Sequence, residues 1–380
     1  MADRREGRLG FGLVGGGPGA FIGRVHVMAA QLDGRLQLSA GAFSRDPAKS
    51  KLAGEGFGVS SDRAYGSWAD MLAAEARRTD GISMVVVATP NDSHFAISKA
   101  ALEAGFHVMC DKPATLSLDE ALALRDVVAK SGRQYGLTYT YSGYPLVREA
   151  RARVAAGALG SVRKIVVEYP QGWLSQKIEG DSKQAEWRTD PKRSGLGGCL
   201  GDIGIHAMHL AEFVSGLYVT ELLADLGHVV PGRLLDDDCD ILLRFNNGAR
   251  GALIASQISA GERNGIRLRI YGEKGGLDWS QETPNTLTLN FPNQPSQVLH
   301  AGGAYLSAEV QAMIRIPAGH PEGYLEAFAN LYREFAGQIA GQASLVPGIE
   351  AGVRGMAFIQ RAVESSDKRQ WLSFESPGHS

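Results

Sequence analysis

A lysine and an aspartate–histidine pair are the residues of this chain best suited to acid–base chemistry. Lys112 follows Asp111 at the end of a short apolar stretch, and farther on Asp202 and His206 stand four residues apart. On a helix that spacing places both side chains on one face. Removing a hydride from a carbinol carbon requires the hydroxyl proton to leave as well, and a histidine or a lysine can accept it. These residues indicate oxidation of an alcohol, with His206 as general base and Lys112 as its electrostatic partner, or with the two roles exchanged.

The aspartate and the histidine permit two other interpretations. Asp202 can be the N-cap of the helix that follows, a position where aspartate is common. Asp202, His206 and His209, at spacings of four and three, can also form a zinc site. We favour chemistry without a metal, because the lysine already supplies a positive charge for a developing alkoxide.

A glycine cluster follows the first apolar stretch of the chain. It contains Gly15, Gly17 and Gly19, with Gly23 in the helical pattern that comes next. Glycines there permit a tight turn and a close approach of the backbone to a pyrophosphate, while free N–H groups at the start of the helix attract the phosphates. The spacing departs from the usual G-x-G-x-x-G, so a plain turn between strand and helix is the competing interpretation. We predict a dinucleotide site, because the cluster lies between the first strand and the first helix.

The residues after the second predicted strand bear on which dinucleotide binds. An acidic residue that accepts bonds from the adenosine ribose is usual there, whereas this chain has Ser44 and Arg45, followed by Asp46. A hydroxyl and a guanidinium can bind a 2′-phosphate through charge-assisted hydrogen bonds. NAD or NADP is therefore expected, with a modest preference for NADP. Arg45 as a solvated loop charge, or as a plane on which adenine stacks, stays an open alternative.

A third loop carries Thr89, Pro90 and Asn91, with His94 at the start of the next predicted helix. Capping of that helix is the simpler role for Asn91. The loop follows a strand, as do the glycine cluster, the Ser44 loop and the Lys112 loop. Because ligands of open α/β sheets bind at the carboxyl ends of the strands, four such loops predict one binding edge.

The elements that position these loops alternate between strand and helix. The stretch Ile82–Ala88 is almost continuously apolar, as a parallel strand covered on both faces must be. The strand–helix repeat predicts an α/β fold with a doubly wound parallel sheet for residues 1–138. The other strands of this repeat are predicted at Leu9–Val14, Leu36–Phe43 and Phe106–Cys110.

Beyond residue 138 the pattern changes to strands that are linked mostly by turns, which predicts an α+β domain over residues 139–380 with a large, mostly antiparallel open sheet. Helices near Gly204–Val214 and Gly323–Ile339 can cover one face of that sheet. The other face can pair with a second copy, so we predict a homo-oligomer, a dimer or a tetramer. The predicted strands are Val162–Tyr169, Glu221–Val230, Cys239–Phe245, Gly251–Ile258 and Ile266–Gly272.

This combination resembles the Gfo/Idh/MocA family of oxidoreductases, whose members carry a Glu-Lys-Pro motif and an Asp-x-Gly-x-His motif. The chain has Asp111-Lys112-Pro113 for the first and Asp202 to His206 for the second, and the likeness covers nearly its whole length. The resemblance implies a Rossmann domain, a nicotinamide cofactor, and catalytic roles for Lys112, Asp202 and His206. Asp111 and the longer glycine loop depart from the family pattern. Cofactor contacts are implied at Gly15, Gly17, Ser44, Thr89, Pro90, Asn91, His94 and Asp111.

The predicted substrate is a polyhydroxylated small molecule, because aromatic faces pack against sugar or cyclitol C–H surfaces and polar groups bind hydroxyls. Asp202 and His206 are expected to share this pocket with Tyr139, Tyr141, Trp187 and Arg188. The expected activity is hydride transfer between a secondary alcohol and nicotinamide C4. Two alternatives remain: a glycosidase of the same fold that retains NAD for transient oxidation and elimination, and a nucleotide-sensing regulator without catalysis.

Composition narrows the classes of partner. The chain has 380 residues, a hydrophobic fraction of 44% and a formal charge of −2, which favours neither a nucleic acid nor a membrane surface as partner. The charged segment Met1–Gly10 lacks the apolar core of a signal peptide, so a cytoplasmic protein is expected. Cys110, Cys199 and Cys239 match neither a disulfide framework nor a zinc-finger spacing, and we expect them to be reduced.

Overall fold

The computed structural model describes residues 8–375, so the predicted charged segment Met1–Gly10 lies largely outside the described residues. The chain divides into two compact units. The first contains residues up to Thr138 together with Phe328–Val353, and the second contains Tyr139–Ala327 and the residues from Arg354 onward. Residues 328–353, which we assigned to the second domain, thus belong to the first unit.

Five parallel strands form the sheet of the first unit, in the order β2-β1-β3-β4-β5. This is the predicted doubly wound arrangement. Strand β3 is buried along its full length, with Val85, Val86 and Val87 wholly inaccessible, which explains its continuous apolar sequence. The strands are β1 Leu9–Gly15, β2 Leu36–Ala42, β3 Met84–Ala88, β4 His107–Cys110 and β5 Tyr135–Leu137.

Nine strands form the sheet of the second unit, in the order β13-β12-β11-β10-β6-β9-β8-β7-β14. Only the β6–β9 pair is parallel, so the sheet is mixed but mostly antiparallel, as predicted. The strands are β6 Val162–Pro170, β7 Val219–Gly227, β8 Asp238–Phe245, β9 Arg250–Ser256, β10 Arg267–Gly272, β11 Gly276–Ser280, β12 Thr286–Asn290, β13 Gln297–His300 and β14 Leu372–Ser373.

Helices connect and cover the strands, and local sequence signals define several of their ends. Ser117 accepts a hydrogen bond from the N–H of Glu120 at 3.2 Å and so caps helix α5, while the Glu120 carboxylate accepts one from the N–H of Leu116 at 3.0 Å. Gly132, in the left-handed region, ends the same helix. The helices are α1 Phe21–Leu32, α2 Pro47–Gly56, α3 Trp68–Glu75, α4 His94–Glu103, α5 Leu118–Ser131, α6 Pro145–Ala155, α7 Lys183–Arg188, α8 Pro191–Ser194, α9 Ile205–Ser215, α10 Ala308–Gln311, α11 Tyr324–Ile339 and α12 Ile349–Lys368.

The two faces of the second sheet differ in their cover. Helix α9 packs on β6, β9 and β10. Strand β8 alternates between buried and exposed residues, and Leu242 on that strand and Ile254 on β9 keep 50% and 41% of their surface exposed. An apolar exposed face of this kind is the feature on which we based the expectation of a homo-oligomer.

All three cysteines are buried and free. Among residues 8–375 no helix combines the length and the apolar character that crossing a bilayer requires.

Candidate functional site

The glycine loop between β1 and α1 forms a backbone cradle. Gly15 has a φ of +102°, and a β-carbon there would lie 2.2 Å from the carbonyl oxygen of Ala88. A β-carbon at Gly17 would lie 2.5 Å from the carbonyl oxygen of Phe43. Both positions therefore require glycine, whereas Gly19, with a φ of +79°, faces open space.

The start of α1 is suited to an anion. The N-cap residue Ala20 offers no side-chain bond, and no acidic residue occupies the first turn, so the side chains leave the first-turn N–H groups to a ligand. Gly23 in this turn packs so closely that a β-carbon would lie 2.3 Å from the Cα of Gly16. The loop and the helix together fit the pyrophosphate of a dinucleotide.

The loop after β2 presents an exposed cation and a carboxylate that caps the next helix. The Asp46 carboxylate caps α2 by accepting hydrogen bonds from the N–H groups of Ala48 and Lys49, at 2.9 and 3.2 Å. Asp46 is therefore committed to the helix. The Arg45 guanidinium is 84% exposed and lies 3.7 Å from the Asp92 carboxylate.

The third predicted loop contributes a buried histidine. Asn91 is buried in a 3₁₀ turn, Asn91–Ser93, ahead of α4, and the Thr89 hydroxyl accepts a hydrogen bond from Ser93 at 2.8 Å. The imidazole of His94 has no exposed surface, and its two nitrogens face the carbonyl oxygens of Pro113 and Thr89 at 2.8 and 2.9 Å. The His94 side chain, for which the resemblance implied a cofactor contact, thus lies between two loops and holds both. Thr89 and Pro90 are half-buried.

The carboxylate of Asp111 is bound from two sides. It accepts a hydrogen bond from the Thr138 hydroxyl at 2.6 Å and lies 3.1 Å from Nε2 of His26. Burial acts to raise its pKa, but the interaction with His26 and the two hydrogen bonds outweigh it and lower the pKa to about 2. Lys112 follows, half-buried, with a cis peptide bond to Pro113.

The aspartate–histidine pair of the second unit lies at a change of helix type. Asp202 belongs to a π-helical turn, Leu200–Gly204, and His206 to the first turn of α9. Gly204 is the N-cap of α9 and makes no side-chain cap bond, so the capping interpretation of Asp202 was wrong. A π turn at this place is consistent with a functional site, because such turns frequently occur at functional sites.

Two side chains orient the Asp202 carboxylate. Its Oδ2 accepts hydrogen bonds from Nε of Arg188 at 3.2 Å and from Nε2 of Gln257 at 2.8 Å. The Arg188 guanidinium lies over the ring of Trp187, 4.2 Å from its centroid, and 5.9 Å from that of Trp173. Asp202 is therefore a hydrogen-bond acceptor in a defined orientation.

Tyrosine rings surround the imidazole of His206. The rings of Tyr139 and Tyr141 meet it edge to face at centroid distances of 5.7 and 5.1 Å, and Tyr169 lies at 6.4 Å. Tyr139 and Tyr141 are 1% and 3% exposed, and burial raises the pKa of both phenols well above 10. These two tyrosines, which we predicted to touch substrate, pack against His206.

A closed ring of hydrogen bonds continues from these tyrosines. The hydroxyls of Tyr141 and Tyr169 bond each other, Tyr169 donates to Oδ1 of Asn264 at 2.7 Å, and Nδ2 of Asn264 donates to the Tyr141 hydroxyl at 3.1 Å. Gln171 donates to the same Oδ1 at 2.6 Å. Asn264 thereby fixes the tyrosine that packs on His206.

The alternative zinc site is not arranged for a metal. The imidazole of His209 stacks on Tyr139 with ring centroids 4.1 Å apart. Within the part of the chain that the structure describes, no three His, Cys, Asp or Glu side chains form a group that could hold a metal ion.

Each unit thus brings together part of the predicted site. The first groups the glycine loop, Arg45, the Thr89 loop and the Asp111–Lys112 segment, and the second groups Asp202, His206, Trp187 and Arg188. Sequence reasoning missed the supporting residues, because their spacing along the chain carries no signal. Those residues are His26, Thr138, Tyr169, Gln171, Gln257 and Asn264.

Comparison with known proteins places both units in one group. A family model described as oxidoreductase family, NAD-binding Rossmann fold, matches residues 9–139, and a GFO/IDH/MocA C-terminal domain model matches residues 147–278. The uncharacterized oxidoreductase YfiI of Bacillus subtilis is 35% identical over 97% of this chain and 97% of its own.

Two further relatives have names that specify a substrate. The structure of an inositol dehydrogenase homolog complexed with NAD+ from Azotobacter vinelandii is 37% identical, covers 97% of this chain and 98% of that chain, and superposes with a TM-score of 0.93. Levoglucosan dehydrogenase of Pseudarthrobacter phenanthrenivorans is 26% identical over 96% of this chain and 97% of its own.

Proposed function

Because the chain belongs to the Gfo/Idh/MocA family of oxidoreductases, we propose that it is an NAD(P)-dependent dehydrogenase for a secondary alcohol of a sugar, sugar derivative or inositol. The observation that carries this proposal is the Asp202 carboxylate, oriented by Arg188 and Gln257, four residues before a histidine that tyrosines hold in place. In our proposal the first unit, residues up to Thr138 with Phe328–Val353, binds the dinucleotide, and the second unit binds the substrate.

A bound nicotinamide supplies the hydride acceptor at its C4 atom. The chain supplies the proton chemistry. His206 accepts the hydroxyl proton of the substrate, a general-base role that contributes about 10²–10⁴-fold in rate. Lys112 stabilises the negative charge that develops on the same oxygen, and loss of such a charge stabiliser costs about 10²–10³-fold. Asp202 accepts a hydrogen bond from a substrate hydroxyl and so sets which carbon is oxidised.

The loop after β2, which contains Arg45 and Asp46, supports use of both NAD and NADP. The Asp46 carboxylate caps the start of α2 through its Oδ1, where the N–H groups and the positive helix end offset part of its charge. Arg45 is exposed and can pair with a 2′-phosphate, although Asp92 at 3.7 Å offsets part of its charge. We therefore propose NAD as one cofactor and Arg45 as the residue that admits NADP.

Three features support a polyhydroxylated substrate. Trp187 and Arg188 offer a half-buried aromatic and cationic surface beside Asp202. Asp202 provides a hydroxyl acceptor. Among the relatives, one structure is that of an inositol dehydrogenase homolog complexed with NADH and myo-inositol, and another is levoglucosan dehydrogenase with NADH and levoglucosan.

The test is nicotinamide absorbance during incubation with inositols, aldoses and anhydrosugars, with NAD and NADP in separate series. We expect reduction with at least one polyol and its loss in Lys112→Met, His206→Gln and Asp202→Asn. Lys51→Met, at an exposed lysine of α2, and His320→Gln, at an exposed histidine, are the matched controls and should retain wild-type rates.

Other outcomes separate the alternatives. Tight dinucleotide binding with hydrolysis of a glycoside and no net NADH release would favour the glycosidase. Binding with no turnover of any kind would favour the sensor and overturn the proposal. The variant that loses the acidic limb of the kcat/KM pH profile identifies the general base, His206 or Lys112.

A further inference from the structure

Two buried histidines hold the residues on either side of Lys112. On the amino side, the Asp111 carboxylate lies 3.1 Å from Nε2 of His26, and on the carboxyl side, the Pro113 carbonyl oxygen lies 2.8 Å from Nδ1 of His94. Neither histidine has any exposed surface. Any effect of these imidazoles on the reaction must therefore be indirect, through the segments that they contact.

His94 joins the loop after β3, which contains Thr89, to the loop after β4, which contains Lys112. Its second nitrogen, Nε2, lies 2.9 Å from the carbonyl oxygen of Thr89. A neutral imidazole has only one N–H donor, so bonds to two carbonyl oxygens require the doubly protonated, positively charged ring. Burial opposes that charge, while the Cys110 side chain, the Pro113 carbonyl and the Asp111 carboxylate favour it, and the pKa of His94 is raised to about 9.

His26 joins the same segment to a distant helix. Its Nδ1 lies 2.5 Å from the hydroxyl of Tyr332 on α11, and the rings of Phe328 and Tyr332 pack edge-on against the imidazole. The Asp111 oxygen that faces His26 also accepts the Thr138 hydroxyl at 2.6 Å, and the Asp111 N–H donates to the Val87 carbonyl at 2.9 Å. Main-chain and side-chain bonds thus fix the residue before Lys112.

We propose that His26 and His94 are positioning residues for Lys112, which clamp its main chain from both sides so that its ammonium group meets the reacting oxygen. In this assignment Asp111 acts through His26 and Thr138, not as a direct ligand of the nicotinamide ribose. The proposal rests on the catalytic role of Lys112 proposed above.

The kinetic test compares His94→Leu and His26→Leu with the glutamine variants at the same positions. Leucine removes every donor, whereas glutamine retains an N–H donor, so the glutamine variants should recover part of the rate. We expect kcat to fall by up to about a hundredfold in the leucine variants, the scale of a 1 Å misplacement, while the Kd for NADH stays near its wild-type value. Where a leucine variant fails to fold, the kcat of the glutamine variant at that position tests the proposal alone.

His107→Gln is the control for a merely structural histidine. His107 lies at the opposite end of β4, where its Nδ1 accepts the N–H of Gln134 at 2.9 Å. Its replacement should lower Tm and leave kcat unchanged. An unchanged kcat in a folded leucine variant, or in the glutamine variant where leucine does not fold, would overturn the proposal, as would a loss of NADH binding in proportion to kcat.

A measurement without turnover separates this proposal from the proposed function. Acylation of lysines, followed by mass spectrometry of the full-length protein, reports the reactivity of Lys112 whether or not a substrate is known. We expect altered labelling of Lys112 in the His26 and His94 variants, no change in His107→Gln, and constant labelling of the exposed Lys51 throughout. Unaltered labelling of Lys112 in folded variants refutes the clamp, even if the protein proves to be a polyol dehydrogenase.

Discussion

Replacing Gly23 by alanine tests whether the close packing of the glycine loop on α1 is needed for dinucleotide binding. A β-carbon at this position would lie 2.3 Å from the Cα of Gly16, whereas ordinary contacts begin at 3.4 Å. Because the obstructing atom belongs to the backbone, no change of rotamer relieves the overlap. The loop must move away from the helix by about 1 Å, since the packed interior offers no free space.

That displacement is enough to break a hydrogen bond between a loop N–H and a phosphate. A hydrogen bond to a charged group contributes about 1.5–3 kcal/mol, so its loss weakens dinucleotide binding by about tenfold to a hundredfold. The fold changes less, because alanine is favoured over glycine inside a helix by about 1 kcal/mol, which offsets part of an overpacking cost of about 1–3 kcal/mol.

Fluorescence titration with NADH measures the Kd, and thermal unfolding measures the change in stability. Gly56→Ala at the end of α2 is the matched control, because a β-carbon there meets nothing within 4 Å. It should leave the Kd unchanged and raise Tm slightly. A Gly23→Ala protein that binds NADH as tightly as the wild type would refute our assignment of this loop as the phosphate site.

Three more predictions concern the cofactor, acid stability and assembly. Arg45→Ala should raise the KM for NADP and leave the KM for NAD unchanged. An equal rise in both KM values would show that Arg45 does not discriminate between the two cofactors. Burial, with Arg148 and Arg151 nearby, lowers the pKa of His209 to about 3, below its ordinary value of 6.5, so its stabilisation is complete above pH 6.5 and is lost as pH falls. Between pH 7 and 5 the free energy of unfolding of the wild type should therefore fall by about 1–2 kcal/mol because of His209. Parallel denaturant titrations of His209→Phe should not show this loss. Equal losses in both proteins would contradict the lowered pKa of His209. Light scattering should give a dimer or tetramer for the wild type and a lower mass for Leu242→Glu combined with Ile254→Glu, whereas a monomeric wild type would end the prediction.

The parallel strands could be predicted because their environment leaves a simple signal. Strand β3 was expected at Ile82–Ala88 and runs from Met84 to Ala88, since a strand that is buried on both faces must be apolar throughout. The loops at its carboxyl end followed from the same pattern. Family membership could be predicted for a similar reason, because each of the two motifs is continuous in sequence. The family models confirmed that prediction.

Helix α12 was not predicted, and its glycines explain why. Gly352 and Gly355 lower helix propensity, yet each lies where a side chain would collide with a neighbour. A β-carbon at Gly352 would lie 2.7 Å from that of Ala114, and one at Gly355 would lie 2.7 Å from the Tyr139 hydroxyl. Tertiary packing, which a single sequence does not display, overrides local propensity there.

The candidate site was predicted only where its residues are close in sequence. Asp202 and His206 were found from their spacing, but the π turn between them was not, because its hydrogen bonds skip one residue more than those of an α-helix. Gln257 and Asn264 escaped notice because they reach the site from the connection between β9 and β10, which is distant in the chain. Polar residues of this kind become visible only when the sheet is assembled.

The first compact unit is discontinuous, and this has a consequence for the synthesis of the protein. Residues 328–353 complete that unit, with Phe335 beside Gly136, Tyr332 on His26 and the Pro347 carbonyl accepting the N–H of Leu137. On the ribosome, the first 138 residues emerge long before these partners exist. The nascent nucleotide-binding sheet therefore waits with an unfinished surface until most of the chain has been made. A fragment that ends at Thr138 would keep that surface permanently, which makes it a candidate for chaperone capture.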